Sequence, residues 1–251
     1  GLPTDSRNLA GKAADLMRRT YGIAEGVSIG INKRIPVAAG LAGGSADCAA
    51  GLVGMNRLFS RGLSAKQLEE EAFMLGTDIP YCVRRGTVLA EGLGEVLTNI
   101  EPPCPFCYVV LAKPPVSVST AKVYQALKWD QVQQHPDTEG MLEAMAEGDI
   151  SQMGKRLCNV LETVTIPMHP KIAVLKEALL NLGAEGALMS GSGPTVFGLF
   201  LEREQAKRAA RALRRNFAMR DVFVTQIYHV PHGKKERRKK DARHKISYQF
   251  Q

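Results

Sequence analysis

The spacing of apolar residues changes along the chain, and each change marks a different element. Leu9, Ala13, Leu16 and Met17 share one face at helical spacing, with Asp5 or Ser6 placed to cap the start and Gly22 to close the end, so residues 3–23 predict an amphipathic helix. Val27, Ile29 and Ile31 then alternate with Ser28, Gly30 and Asn32, the period of a half-buried strand. A glycine-rich stretch, Pro36 to Gly51, follows at once. Ala49, Leu52, Val53, Asn56 and Phe59 resume helical spacing, so the glycines are expected to open a helix near Ser45. Ser64 to Gln67 reads as a capping box for the next helix, which carries Leu68, Ala72, Phe73 and Leu75 and breaks in the turn-like run 76–81.

Residues 84–97 predict a hairpin with Gly92 and Gly94 in its turn, and 107–114 a buried strand ended by prolines. From Ser119 the pattern is mostly helical, over 119–129, 138–162 and 169–183. An apolar strand interrupted by Ser190-Gly191-Ser192-Gly193-Pro194 comes next, then a helix over 202–217 and a strand over 222–230. The expected fold class is α+β in two units, 1–115 and 116–232, with a basic tail at 233–251 expected to be disordered.

The 251 residues are 45% hydrophobic and 23% charged, which suits a soluble globular chain with a sizeable core. The formal charge of +8 suggests a polyanion partner until it is located. Eight of the 33 Lys/Arg fall in Lys234–Lys245 beside only two acidic residues, so the body is nearly neutral and no specific nucleic acid is expected. Five cysteines without regular spacing point to reduced thiols, and the lone Cys104-Pro-Phe-Cys107 pair lacks the further ligands that zinc requires. The polar start resembles no secretory signal and no apolar run reaches a membrane-spanning length, so a cytoplasmic protein without a membrane partner is expected.

The stretch Pro36–Gly51 matches neither of the two best-known phosphate loops. No Gly-Lys-Ser/Thr follows Gly44, and Gly40, Gly43 and Gly44 do not have the G-x-G-x-x-G spacing. Glycines between a strand and a helix still let backbone N–H groups converge on an anion, with the helix start adding its own unpaired donors. A Gly/Ala turn that merely lets strand and helix pack closely is the other reading. Asp78 is either a turn former or a carboxylate placed to orient or deprotonate a hydroxyl, and Ser190–Pro194 is either a bend within a strand or a second backbone cradle.

Taken in order, Pro36-x-x-x-Gly40-Leu41-Ala42-Gly43-Gly44-Ser45, Thr77-Asp78-Ile79-Pro80, Gly92-Leu93-Gly94-Glu95 and Ser190-Gly191-Ser192-Gly193-Pro194 resemble the GHMP kinase superfamily. The resemblance implies a two-domain fold, with an N-terminal domain like ribosomal protein S5 and a C-terminal ferredoxin-like α+β domain. It implies a kinase that uses ATP and Mg²⁺, with no metal-ligating residues singled out. Pro36, Val37, Ala38, Ala39, Gly40, Leu41, Ala42, Gly43, Gly44, Ser45 and Ala46 would form the ATP loop, with Asn8, Lys33 and Asp47 near the adenosine. Asp78 would be catalytic. Thr120 and Tyr124 would contact a cytidine, and Gly191, Ser192 and Gly193 would lie near phosphates and substrate.

The implied small-molecule partner is a methylerythritol linked to cytidine diphosphate; another small alcohol such as homoserine, or a nucleotide-binding remnant without activity, are the alternatives. Two departures from the family pattern stand out. The family's opening strand and catalytic lysine precede the positions matched here, and Ala46 replaces a second serine, which is expected to weaken phosphate or Mg²⁺ contacts.

Overall fold

In the computed structural model, residues 2–230 are described, so the basic run at 234–245 lies outside the described residues. Helix α1, Leu9–Thr20, is capped by Asn8, whose side chain accepts from Ala10 N–H at 3.0 Å and donates to Pro3 O at 2.8 Å. Asp5 is engaged elsewhere, gripped by the Arg7 guanidinium, which holds its carboxyl below the usual range. Helix α2, Gly43–Leu58, packs against α1 through small residues: a Cβ on Gly51 would lie 3.1 Å from Ala13 Cβ.

Helix α3, Ala65–Phe73, starts with the expected capping box. Helix α4, Ile79–Arg84, was not foreseen, because six residues carry too little periodicity to stand out from a turn. It is tied to α3 by Arg84, whose Nε and Nη2 both donate to Glu69 at 2.5 Å. Met17, Leu52, Met55, Ala72 and Ile79 form the core of these four helices.

The strand expected over 27–31 does not form. Residues 24–36 form no regular element, with Ile29 and Ile35 exposed, and no backbone hydrogen bond joins them to another described segment. Alternation can prescribe an extended chain, but a strand needs a neighbour for its N–H and C=O groups. The hairpin does form, β1 Val88–Glu91 against β2 Val96–Asn99, with Gly92 and Gly94 at positive φ.

The second unit is built on a four-stranded antiparallel sheet. Its members are β3 Tyr108–Lys113, β4 Gly186–Met189, β5 Val196–Phe200 and β6 Asp221–Gln226, in the order β4-β5-β3-β6. Between β3 and β4 come α5 Thr120–Ala126, a short 3-10 turn at Trp129–Gln131, α6 Thr138–Glu147, α7 Ile150–Arg156, α8 Glu162–Met168 and α9 Lys171–Asn181. Helix α10, Arg203–Asn216, links β5 to β6. This strand order with split βαβ connections is the ferredoxin-like arrangement.

Leu175 and Leu179 of α9 and Ala206, Ala210 and Leu213 of α10 close over Val110, Val196 and Phe200, all almost fully buried. Each large side chain so buried contributes about 1.5–3 kcal/mol. Two expectations change here. Strand β3, inside the expected first unit 1–115, pairs with both β5 and β6, so by pairing it joins the second sheet. The apolar run around Ser190 is two strands in a hairpin, because the glycine loop reverses the chain.

Candidate active site

The loop ahead of α2 holds three residues in left-handed conformation within five positions: Ala38 (φ 51°), Gly40 (φ 70°) and Ala42 (φ 48°). Glycine adopts this region freely, whereas each alanine gives up about 1–2 kcal/mol. Ala42 occupies the N-cap position and offers no side-chain cap. Its carbonyl takes Ala46 N–H at 2.8 Å, while the N–H groups of Gly43, Gly44 and Ser45 meet no acceptor among the described residues. Three unpaired amides at the positive end of a 16-residue helix form a ready anion cradle. Lys33 reinforces this turn, with Nζ donating to Gly43 O at 2.6 Å and to Asp47 Oδ2 at 2.5 Å. Its charge is therefore already paired.

The β4–β5 turn meets this loop directly. Ser190 Oγ donates to Gly40 O at 2.7 Å, and Thr195 N–H donates to Ala39 O at 3.3 Å. The approach is close enough that a Cβ on Gly40 would fall 2.4 Å from Ser190 O and 2.8 Å from Gly193 O. On its far side the turn touches α5, where Thr120 Oγ1 and Ser192 Oγ share a hydrogen bond of 2.8 Å. Ser119 caps α5 by accepting from Lys122 N–H, and Val123 anchors it in the core. Tyr124, one turn beyond Thr120 on the same face, is 61% exposed, free to meet a flat ligand with its ring.

Asp78 sits at the N-cap of α4 but caps nothing, and its exposed carboxylate has no hydrogen bond or ion pair among the described residues. Its backbone is firmly placed. Ile79 is buried beside it, and the hairpin turn presses on Thr77, where a Cβ on Gly94 would lie 2.6 Å from Thr77 O. One turn further, burial and then the charge of Asp78 push the Cys82 thiol up to about 11.

The sequence-derived set thus divides. Ala39, Gly40, Gly193, Ser192 and Thr120 meet in one hydrogen-bonded or closely packed chain, and Gly43–Ser45 stand beside it as free donors. Lys33 and Asp47 pair with each other at the start of α2, while Asn8 spends its side chain on capping α1. Pro36, Val37 and Leu41 contribute no hydrogen bond to the junction. Ser190 and Thr195 were missed as individual site residues although both lie in or beside the quoted motif; Thr195 Oγ1 is also buried without a partner. Asn159, whose Nδ2 donates to Met189 O and Gly191 O at 2.8 Å each, carries no local signal that could have found it. Cys104 and Cys107 lie away from this junction in a buried cluster, where burial pushes the Cys107 thiol up to about 12.

Two family models match this chain. Residues 8–86 match the family described as GHMP kinases N terminal domain, and 141–218 match GHMP kinases C terminal. The chain is 49% identical over 229 residues to the 4-diphosphocytidyl-2-C-methyl-D-erythritol kinase of Bacillus subtilis (strain 168), covering 91% of this chain and 76% of that relative. It is 50% identical over 213 residues to the enzyme of the same name from Macrococcus caseolyticus, covering 85% and 75%. Among solved structures, a 4-(cytidine 5'-diphospho)-2C-methyl-D-erythritol kinase superposes with a TM-score of 0.76 at 33% identity, over 90% of this chain and 80% of that one. A homoserine kinase from Cytophaga hutchinsonii shares the fold, with a TM-score of 0.74 at 23% identity over 91% and 78%.

Proposed function

Because this chain belongs to the GHMP kinase family, we infer that it transfers the γ-phosphoryl group of ATP to the 2-hydroxyl of 4-diphosphocytidyl-2-C-methyl-D-erythritol, a step toward isoprenoid precursors. The observation that supports this most strongly is the meeting of the phosphate-type loop with the β4–β5 turn, and of that turn with α5, through the hydroxyls of Ser190, Ser192 and Thr120. One junction therefore offers donors for a polyphosphate on one side and an exposed aromatic ring for a base on the other.

In this reading the amides of Gly43, Gly44 and Ser45 bind phosphate oxygens, with the dipole of α2 behind them. Tyr124 stacks on the cytosine. Asp78, unpaired and held on a buried helix start, aligns the acceptor hydroxyl or accepts its proton. Mg²⁺ would arrive bound mainly by phosphate oxygens and ask few ligands of the protein; the Ser45 hydroxyl would be one, and the ion would offset charge on the transferring group.

The test is ATP-dependent phosphorylation of 4-diphosphocytidyl-2-C-methyl-D-erythritol, with homoserine as control acceptor and CDP as competitor. Turnover of the cytidine-linked alcohol, inhibited by CDP, is expected. Turnover of homoserine instead, or indifference to CDP, overturns the acceptor assignment. Asp78→Asn is expected to lower turnover by about a hundredfold or more while ATP affinity changes by less than about threefold. Equal turnover in the two proteins removes Asp78 from the chemistry.

A further inference from the structure

Beyond Met189 the ladder between β4 and β5 gives way to a turn closed by Ser190 N–H on Thr195 O at 2.8 Å and Gly193 N–H on Ser190 O at 2.9 Å, which leaves its remaining backbone groups to be met from outside. One short stretch supplies the partners. Asn159 Nδ2 donates to the carbonyls of Met189 and Gly191, which flank Ser190, and its Oδ1 accepts from Leu161 N–H at 3.0 Å. Three residues on, Glu162 Oε1 accepts from Met189 N–H at 2.9 Å while its Oε2 takes the Lys176 ammonium at 2.5 Å. Fully buried Thr165 donates to Ser192 O at 3.3 Å. Four backbone groups of the turn and its approach are thus held by three side chains from residues 159–165.

We propose that Asn159 is a positioning residue for the phosphate loop, acting through the 190–193 turn. A carboxamide can both donate and accept, and here one nitrogen holds the carbonyls of the two residues that flank Ser190. The Ser190 hydroxyl is thereby aimed at Gly40 O, and Thr195 N–H, where the chain enters β5, holds Ala39 O. Those two bonds fall between the strained alanines at 38 and 42, where an unfavourable backbone persists only if its surroundings hold it. Loosening Asn159 should let the loop relax and misalign the free amides of Gly43–Ser45. Helix α5 should be little disturbed, since its own cap and Val123 fix it.

This inference rests on the reading of the loop as the ATP site, and one experiment separates the two. The full chain, Asn159→Asp and Asn159→Ala are titrated calorimetrically with ATP and with CDP, with Glu162→Gln as a control that keeps an acceptor for Met189 N–H. Both Asn159 variants are expected to bind ATP about tenfold more weakly and CDP within about twofold of wild type. Glu162→Gln should stay within about threefold for both. Unchanged ATP affinity in the Asn159 variants overturns the inference alone, as does an equal loss for ATP and CDP, the mark of a general loosening. A wild-type chain that binds no ATP overturns the underlying reading as well. Where Asn159→Asp fails to fold, Asn159→Ala, which adds no charge, carries the comparison.

Discussion

The loop ahead of α2 and the turn between β4 and β5 are both made of glycines and small residues, yet their backbone groups go to different places. In the first, the amides of Gly43, Gly44 and Ser45 are left without acceptors, and non-glycine residues stand in left-handed conformation. In the second, Met189, Gly191, Ser192 and Gly193 all have backbone groups bonded within the second unit, and the left-handed positions, Gly191 and Gly193, are both glycine. The first loop presents donors and the second holds it in the shape that does so. A cradle cannot satisfy its own amides and still offer them to a ligand, so its conformation must be maintained by other bonds.

The strongest way to break this arrangement is Gly40→Ala. The added Cβ would meet two backbone oxygens, of Ser190 and Gly193, at 2.4 and 2.8 Å, at a φ of 70° that alanine disfavours. Neither oxygen sits on a side chain that could swing away. ATP binding is expected to fall by about a hundredfold or more, with a lower melting temperature. Retained binding would show that the loop does not need to dock on the turn.

Ser190→Ala asks less, since it removes one hydrogen bond from an interface that keeps the Thr195 to Ala39 bond. A loss of ATP affinity of about three- to tenfold is expected by titration, with little change in melting. The smallest effect is expected from Ala42→Gly, which relieves strain in the loop at the cost of a freer unfolded chain. A rise in melting temperature of about 1–3 °C follows if strain is stored there. A fall would place the cost elsewhere.

Much of the fold was legible because local chemistry completes it. The Ser64–Gln67 capping box, the Gly92 and Gly94 turn and the Ala/Leu face of α10 are each settled within a few residues. The cap of α1 was misplaced because Asp5, Ser6 and Asn8 are all competent caps, and only the bonds to Ala10 and Pro3, with Arg7 occupying Asp5, choose among them. Helix α4 escaped for lack of length, and the strand at 27–31 was expected from alternation that finds no partner to pair with. Within the site, the motif residues could be named in advance. The partners that hold them could not, since nothing in Asn159-Val-Leu-Glu162 marks a bracket for a turn thirty residues away.

Read alone, the sequence determined the order of motifs, the α+β class and the family, because capping, turn chemistry and glycine placement act over short spans of chain. The tertiary structure decided which loop leans on which: Gly40 and Ser190 are 150 residues apart. It also decided that β3 joins the second sheet, and that Lys33 is paired with Asp47 rather than free. Hydrogen bonds between distant segments depend on where the whole chain brings them, and no local pattern encodes that meeting.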